Sequence, residues 1–234
     1  MKTIYSLLLA MFLIVSTASA ESREARKQQE RLQDAGAVMS EILNMPDSIP
    51  HHTLDRTKCV VVVPSVRKAA FIVGASYGRG AMVCRTGEDF SGPWGAPSMM
   101  AVEGASFGLQ AGAEATDFVF LIMNERGATS LLKSKVKLGG DVAAVAGPVG
   151  RDAQAGTDAY MRAEILTYSR ARGVFAGVSL DGSTLRPDNE ANEDLYGQRI
   201  KARDIVLGPG PQAPAAADRL ITLLEQASPR PANG

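Results

Sequence analysis

Residues 59–84 read CVVVVPSVRKAAFIVGASYGRGAMVC and contain three apolar runs, at 59–63, 69–73 and 81–84. Pro64-Ser65 separates the first two runs, and Gly78-Arg79-Gly80 precedes the third. Short runs rich in valine and alanine, bounded by proline and glycine, are typical of β-strands joined by turns. The stretch therefore predicts three consecutive antiparallel strands.

Four further β-like segments extend this pattern towards the C-terminus. They are 116–123, 136–145, 163–169 and 174–180, with a short hairpin loop at 170–173. The sequence also predicts helices over 21–45, 127–132 and 214–227. We therefore expect an α+β protein, in which a curled antiparallel β-sheet (sandwich or barrel-like) is accompanied by an N-terminal and a C-terminal helix.

The predicted N-terminal helix, 21–45, ends before Pro46 and Pro50. Its apolar residues recur at three-to-four spacing, at Leu32, Ala35, Met39, Ile42 and Leu43. Such a helix either packs on its own domain or lies on a membrane surface. Packing is favoured because the apolar face begins only at Leu32 and contains no Trp or Phe.

The first twenty residues predict an export signal. Lys2 precedes a largely apolar run at 4–15, and Ala18-Ser19-Ala20 matches a small-x-small cleavage site. The run is shorter than the roughly 20 residues that span a bilayer, and no cysteine near the cleavage site offers a thiol for a lipid anchor. We expect residues 1–20 to be removed, 21–228 to form one domain and 229–234 to be a disordered tail. The predicted location is periplasmic or secreted.

Cys59 and Cys84 are the two cysteines of the chain. An oxidising compartment favours a disulfide between them. In a flat three-stranded meander, however, the start of the first strand lies far from the end of the third, whereas a disulfide needs Cα atoms within about 7 Å. A strongly curled sheet brings the two together, so the sequence leaves the pairing open.

The composition excludes several classes of function. Lys and Arg number 25 and Asp and Glu number 25, so the whole protein has no net charge with which to bind nucleic acid. Two cysteines cannot build a Cys-rich zinc site, and glycine motifs for dinucleotides or phosphates do not occur. His51, His52 and Asp55 lack a further ligand at zinc spacing, and 188–194 lacks the spacing of an EF-hand. No cofactor or metal is predicted.

Two Gly-x-Ser-x-Gly patterns place Ser76 and Ser106 where serine hydrolases have their nucleophile. In such enzymes the serine lies between a strand and a helix, and the histidine follows it in the chain. His51 and His52 precede both serines. A serine hydrolase is therefore the least favoured alternative, and we predict a non-enzymatic protein.

Three alternating lysines, Lys133, Lys135 and Lys137, form the clearest basic pattern. Residues two apart share one face of a strand, so the pattern predicts a lysine stripe. The stripe either protects an edge strand from aggregation or binds anionic headgroups. Under the second interpretation, Arg67 and Lys68 extend the headgroup site.

Apolar contact with a membrane is predicted for four residues of a Gly/Pro-rich segment: Phe90, Trp94, Met99 and Met100. The alternative is ordinary core packing of this segment, since a lone tryptophan is usually buried. The sequence alone does not separate the two.

A series of short motifs follows in a fixed order along residues 63–197. They are Val63-Pro64-Ser65-Val66, Tyr77-Gly78-Arg79-Gly80, Trp94-Gly95-Ala96-Pro97, 107–112, 136–141, 146–151, the long block 168–182, Asp188, Asn192 and Tyr196-Gly197. In these motifs and their order the chain resembles the SYLF domain family, an actin- and lipid-binding domain. The similarity extends over nearly all of the chain that follows the export signal.

The resemblance implies one α+β domain with a non-enzymatic role in binding lipids, which are phosphoinositides in eukaryotic members. Those members also bind actin and contain SH3 or FYVE modules. With its export signal and its short length, which leaves no room for such modules, the chain resembles a bacterial branch of the family that consists of this domain alone. The expected partner is then an anionic phospholipid or membrane surface, contacted peripherally. The alternative is a structural protein of the cell envelope that binds a protein partner.

Overall fold

A computed structural model describes residues 2–70, 73–87, 89–107, 112–149, 162–171, 174–177 and 182–229. Its helices are α1 (Lys2–Leu43), α2 (His51–Arg56), α3 (Glu125–Lys133), α4 (Asn189–Tyr196), α5 (Ala202–Leu207) and α6 (Asp218–Ala227), with a 3₁₀ turn at Ala215–Ala217 before α6. Its strands are β1 (Cys59–Ala70), β2 (Val73–Cys84), β3 (Ser98–Phe107), β4 (Gly112–Ile122), β5 (Val136–Lys137), β6 (Ala144–Ala146), β7 (Ile165–Ala171), β8 (Val174–Gly177) and β9 (Thr184–Pro187).

All nine strands belong to one curled sheet in the order β5-β9-β3-β2-β1-β4-β7-β6, and β8 pairs with the second half of β7. Neighbouring strands are antiparallel except β6 and β7, which are parallel. The predicted α+β fold, with a curled sheet and a helix towards each end of the chain, is confirmed. Residues 230–234 of the predicted tail lie outside the described residues.

The first strand differs from its prediction, because 59–63 and 69–70 belong to one strand that continues through Pro64. Between Val62 and Arg67, β1 contains one residue more than either neighbouring strand. The extra residue forms a β-bulge, where a proline is tolerated because no ladder hydrogen bond is required of it. Ser65 adopts a positive φ of 49°, and its N–H donates to Asp117 Oδ1 at 2.8 Å.

Two glycines of β2 face this bulge at very short range. A Cβ atom on Gly78 would lie 2.6 Å from Val66 Cγ2, and one on Gly80 would lie 2.0 Å from the Val62 carbonyl oxygen. The motif Gly78-Arg79-Gly80 therefore lies within a strand and is not the predicted turn. It allows β2 to approach the bulged part of β1 closely.

Other differences concern segment type and length. Residues 136–145 form two short strands and a turn instead of one strand, and strands β3 and β9 and helices α2, α4 and α5 were not predicted. Helix α1 ends near the predicted position but extends back to Lys2. Within the described residues, no helix has both the length and the apolar composition of a membrane span.

The sheet is covered on both faces, as the alternation of β1 side chains shows. Val60 and Val62 pack with Met39 and Ile42 of α1 and with Leu220 and Leu224 of α6. Val61 and Val63 face the opposite side, where Leu131 and Leu132 of α3 and Val206 of α5 pack. Successive strand residues point to opposite faces, so β1 contributes to both cores. We call these the α1 face and the α3 face.

Cys59 and Cys84 lie directly opposite each other at the open end of the β1–β2 hairpin, and their sulfur atoms are bonded. The geometric objection to this pair assumed three strands between the cysteines. The structure has two long strands, which bring the first and last residues together.

Replacing both cysteines by alanine is expected to lower the free energy of unfolding by about 3 kcal/mol, because the bond closes a loop with a sequence separation of 25. Chemical denaturation of the double variant and of the oxidised wild-type protein, followed by circular dichroism, measures the difference. The free energy of unfolding of the reduced wild-type protein should be close to that of the double variant, which differs only in lacking the two sulfur atoms. Equal stability of all three forms would contradict the prediction.

Candidate functional site: a basic cleft and a row across the sheet

The three predicted lysines do not share a strand. Lys133 is the last residue of α3, Lys135 follows in the connection, and only Lys137 lies in β5. The reason is that Asn124 caps the helix by accepting from the N–H of Gly127 at 2.8 Å, and helical structure then continues to Lys133. All three side chains are exposed. The lysine stripe is therefore corrected to three separate positions.

Lys133 and Lys135 instead line a cleft of about 570 Å³ together with cations from later in the chain. The other cationic residues are Arg186 at the end of β9 and Lys201 and Arg203 at the start of α5. The remaining lining residues are Leu132, Ser134, Pro187, Asn189 and Asp204. We call this site the basic cleft.

Most of the positive charge in the basic cleft is not neutralised. Arg186 pairs with Glu103 at 2.8 Å, and the hydrogen bond that its guanidinium donates to the Glu103 carboxylate holds the pKa of Arg186 above its ordinary value. Over the described residues, the ion pairs shorter than 4.0 Å include neither Lys133, Lys135, Lys201 nor Arg203. Asp204 is the one acidic residue in the described lining. The cleft therefore presents a net positive surface to an anion.

The chain positions these cations through the start of α4. Asp188 caps that helix, its Oδ1 accepting from the N–H of Ala191 at 3.3 Å. The next residue, Asn189, accepts through Oδ1 from the N–H of Ala202 at 3.2 Å. Ala202 lies between Lys201 and Arg203, so this hydrogen bond ties both cations to the end of β9.

Lys137 and Arg67 belong to a second arrangement, a row of residues paired across five strands. Lys137 of β5 pairs with Thr184, Thr184 with Glu103, Glu103 with Tyr77, and Tyr77 with Arg67 of β1. Residues directly opposite each other project from the same face. Four strand spacings make the row about 19 Å wide. We call it the cross-strand row. Lys68, which was predicted to extend the headgroup site, follows Arg67 in β1, and its side chain lies outside the described residues.

The cross-strand row and the basic cleft are adjacent because Arg186 contacts both of them. Arg186 pairs across the sheet with Ala101, which pairs with Arg79 on β2. Its guanidinium contacts Glu103 of the row while it also lines the cleft. The sequence could not reveal this proximity, because the contributing segments are far apart in the chain.

The four residues predicted to contact a membrane are buried. Phe90 is 1% exposed, Trp94 5%, Met99 1% and Met100 0%. Met99 and Met100 lie within β3, and the segment from 85 to 97 folds back so that Phe90 joins the core of the α3 face and Trp94 that of the α1 face. That prediction is wrong for this structure, and core packing, the alternative, applies.

Trp94 stacks on a buried arginine that joins distant parts of the chain. The guanidinium carbon of Arg85 lies 4.3 Å from the centre of the Trp94 ring. Arg85 donates to the carbonyl oxygens of Thr57 and Gly92 at 3.3 Å each. It also donates to Ser228 O at 2.9 Å and Ser228 Oγ at 2.6 Å. Arg85 thereby connects the end of α2 with the segment that follows α6.

The remaining candidate residues from the sequence lie within strands and helices of the described structure. Ser76 and Ser106 lie inside β2 and β3, and neither is at a strand-to-helix turn. His51 and His52 lie in α2, and most of the acidic stretch 188–194 forms α4. Within the described part of the chain, no group of three or more His, Cys, Asp or Glu side chains could hold a metal ion.

The fold and the site together define an α+β domain with one curled sheet and a basic cleft at the edge of that sheet. Residues 103–227, more than half of the chain, match the model of the Ysc84 family, described as Las17-binding protein actin regulators. The chain belongs to this family, and its resemblance to the SYLF domain is thereby confirmed.

Several relatives support this assignment. The chain is 35% identical over 204 residues to SH3 domain-containing YSC84-like protein 1 of Homo sapiens, which is 86% of this chain and 58% of the relative. It is 35% identical over 189 residues to Protein YSC84 of Saccharomyces cerevisiae, which is 80% of this chain and 39% of the relative. Identity to LAS seventeen-binding protein 3 of the same yeast is 35% over 200 residues, 83% of this chain and 42% of the relative. The chain thus spans about half the length of these relatives.

Proposed function

We propose that this protein is a non-enzymatic, peripheral binder of anionic phospholipid headgroups and that the basic cleft is its main contact. The observation that carries the proposal is the convergence of Lys133, Lys135, Lys201 and Arg203, without ion-pair partners among the described residues, in a chain of zero net charge. Phosphate oxygens accept hydrogen bonds from Lys and Arg, and each such cation near a membrane surface contributes about 1 kcal/mol.

We propose further that the protein acts outside the cytoplasm, in the periplasm or as a secreted protein. Support comes from the pattern of residues 1–20 and from the cysteine pair bonded in the β1–β2 hairpin. The buried residues described on α1 begin at Gln28 and Leu32. Cleavage after Ala20 would therefore leave the described packing of α1 on the domain in place.

Replacing Lys133 and Lys135 together by glutamine is expected to weaken binding to anionic vesicles about 30-fold, since two lysines contribute about 2 kcal/mol. Flotation with vesicles of phosphatidylcholine, alone or mixed with phosphatidylglycerol, measures the binding. Wild-type protein should float only with the anionic mixture, and added salt should weaken the binding by screening.

A matched control changes the same number of charges elsewhere. Arg126 and Arg162 line a separate cleft, and their replacement by glutamine removes two cations from another part of the surface. This control should bind nearly as well as wild type. An equal loss in both double variants would show that binding follows overall charge, and the role of the basic cleft would be refuted.

A second candidate function, binding of a protein partner in the cell envelope, is favoured by one observation. The matching family is described as Las17-binding, and one yeast relative is named LAS seventeen-binding protein 3. Two results together would favour this function over lipid binding. Wild-type protein would float with none of the vesicles, and it would elute from a size-exclusion column at the mass of a dimer without lipid.

A further inference from the structure

Tyr77, which lies between Arg67 and Glu103 in the cross-strand row, is the one large hydrophobic residue that is exposed among the described side chains, with 45% of its surface accessible. Its position in β2 directs it to the α1 face, but the described core residues of α1 and α6 pack against the other half of that face, around Val60, Val62 and Val83. The ring of Tyr77 is therefore left without a covering element from either helix.

The orientation of Tyr77 is fixed by its neighbour Arg79. The Nε–H of Arg79 donates to the Tyr77 hydroxyl at 2.5 Å, and its guanidinium carbon lies 5.9 Å from the ring centre. Arg79 is itself held by an ion pair with Asp188, whose Oδ2 lies 3.0 Å from Nε. The single Nε–H points to the tyrosine, so the contact with Asp188 is electrostatic. An exposed ring that is held in this way loses little side-chain entropy when it enters an interface.

The charges beside Tyr77 are predominantly positive. Arg67 and Lys137 occupy the two ends of the row, and both are exposed. Glu103 and Asp188 are already paired, with Arg186 and Arg79, and Glu190 of α4 adds one more acidic group near Arg79. With the basic cleft, this surface includes eight cationic side chains: Arg67, Arg79, Lys133, Lys135, Lys137, Arg186, Lys201 and Arg203. Five acidic ones lie among them: Glu103, Asp188, Glu190, Asp204, and Asp141, whose Oδ2 accepts from the N–H of Lys137 at 2.8 Å.

We propose that the cross-strand row is the face that docks on an anionic membrane, with Tyr77 positioned at the level of the lipid headgroups and the basic cleft beside it. This inference rests on the proposed function and adds the docking surface. Tyrosine favours the membrane interface because its ring is apolar and its hydroxyl stays hydrated. The surrounding cations attract the negative surface, and their attraction falls off within a Debye length.

The width of the row favours a plane of headgroups over one small ligand. Arg67 and Lys137 are about 19 Å apart by strand spacing, further than a single headgroup extends. A lipid surface matches this width, because many headgroups contact the row at once.

The test replaces Tyr77 by tryptophan and follows fluorescence with the same two kinds of vesicle. Trp94 is 5% exposed and contributes a constant background emission, which is measured separately with wild-type protein. The emission of Tyr77→Trp should shift to the blue with phosphatidylglycerol-containing vesicles and be quenched by brominated lipid. A control tryptophan at Thr222, on the exposed side of α6, should show no shift.

A second measurement uses flotation of Tyr77→Ala and Tyr77→Phe. We expect the alanine variant to bind anionic vesicles about tenfold more weakly and the phenylalanine variant to bind almost as well as wild type. Vesicle binding of Tyr77→Trp without a shift, or the same shift at Thr222, would overturn the docking surface and leave the basic cleft proposal standing. Failure of wild-type protein to float with anionic vesicles would overturn the proposed function and this inference with it.

Discussion

Replacing Gly80 by alanine is expected to destabilise the protein by about 3 kcal/mol or more, a large share of the 5–15 kcal/mol that is typical of a folded domain. The new Cβ would lie 2.0 Å from the carbonyl oxygen of Val62 and 2.7 Å from Cα of Val63. Both are backbone atoms of the central strand, which cannot rotate away as a side chain can. The strands β1 and β2 would have to separate beside the bulge.

Denaturant unfolding of Gly80→Ala, followed by circular dichroism, measures this effect. The matched control is Gly140→Ala, whose Cβ would meet only the Lys137 side chain at 3.4 Å or beyond. The control should change stability by less than about 1 kcal/mol, because alanine there also restricts the unfolded chain. If Gly80→Ala were as stable as the control, the close approach of β2 to the bulged strand would be wrong.

The second large effect is expected for Arg85→Met, which should lower the free energy of unfolding by about 3–5 kcal/mol. Methionine retains an apolar stem but leaves the buried carbonyl oxygens of Thr57 and Ser228 without their charged donor. It also removes the cation that stacks on the Trp94 ring. Each unsatisfied buried acceptor costs about 1–3 kcal/mol.

Circular dichroism is again the appropriate probe, because Arg85 contacts the tryptophan that fluorescence would report. Arg199→Met serves as the control, since that arginine is 91% exposed and pairs with Glu193 at the surface. It should change stability by less than about 1 kcal/mol. A similar small loss for Arg85→Met would mean that the hydrogen bonds between Arg85 and Ser228 contribute little to the fold.

Local patterns were sufficient to predict the fold class, because several strands contain apolar runs, such as 59–63 and 81–84, and α1 and α6 have clear periodicity. Pro64 was interpreted as a strand end, and locally that interpretation is sound. The strand continues because one extra residue is accommodated as a bulge, and this depends on Asp117 and on two glycines of β2. Strand β3 was missed because its run is interrupted by glutamate and glycine, which the paired strands tolerate.

The site was predicted in fragments. Lys133 and Lys135 were selected as anion-binding residues, but Arg186, Lys201 and Arg203 follow roughly 50–70 residues later, and only tertiary structure brings them together. Trp94 was predicted as membrane contact, with core packing as the alternative, because glycine and proline around it are typical of an exposed loop. Its burial depends on Arg85 and Glu225, the latter accepting from its backbone N–H at 2.7 Å. Neither partner can be recognised from the local sequence.

The packing of α1 has a consequence for the time at which the domain can assemble. Ala35, Met39 and Ile42 are buried against Leu220 and Leu224, and Leu32 against Ala191 and Ala217. Helix α1 therefore meets its partners only after the segments up to α6 have been synthesised. Contacts between such distant segments form slowly, since closing long loops is entropically unfavourable. In a protein that is exported as we propose, the native packing of α1 would form only after α6 had crossed the membrane.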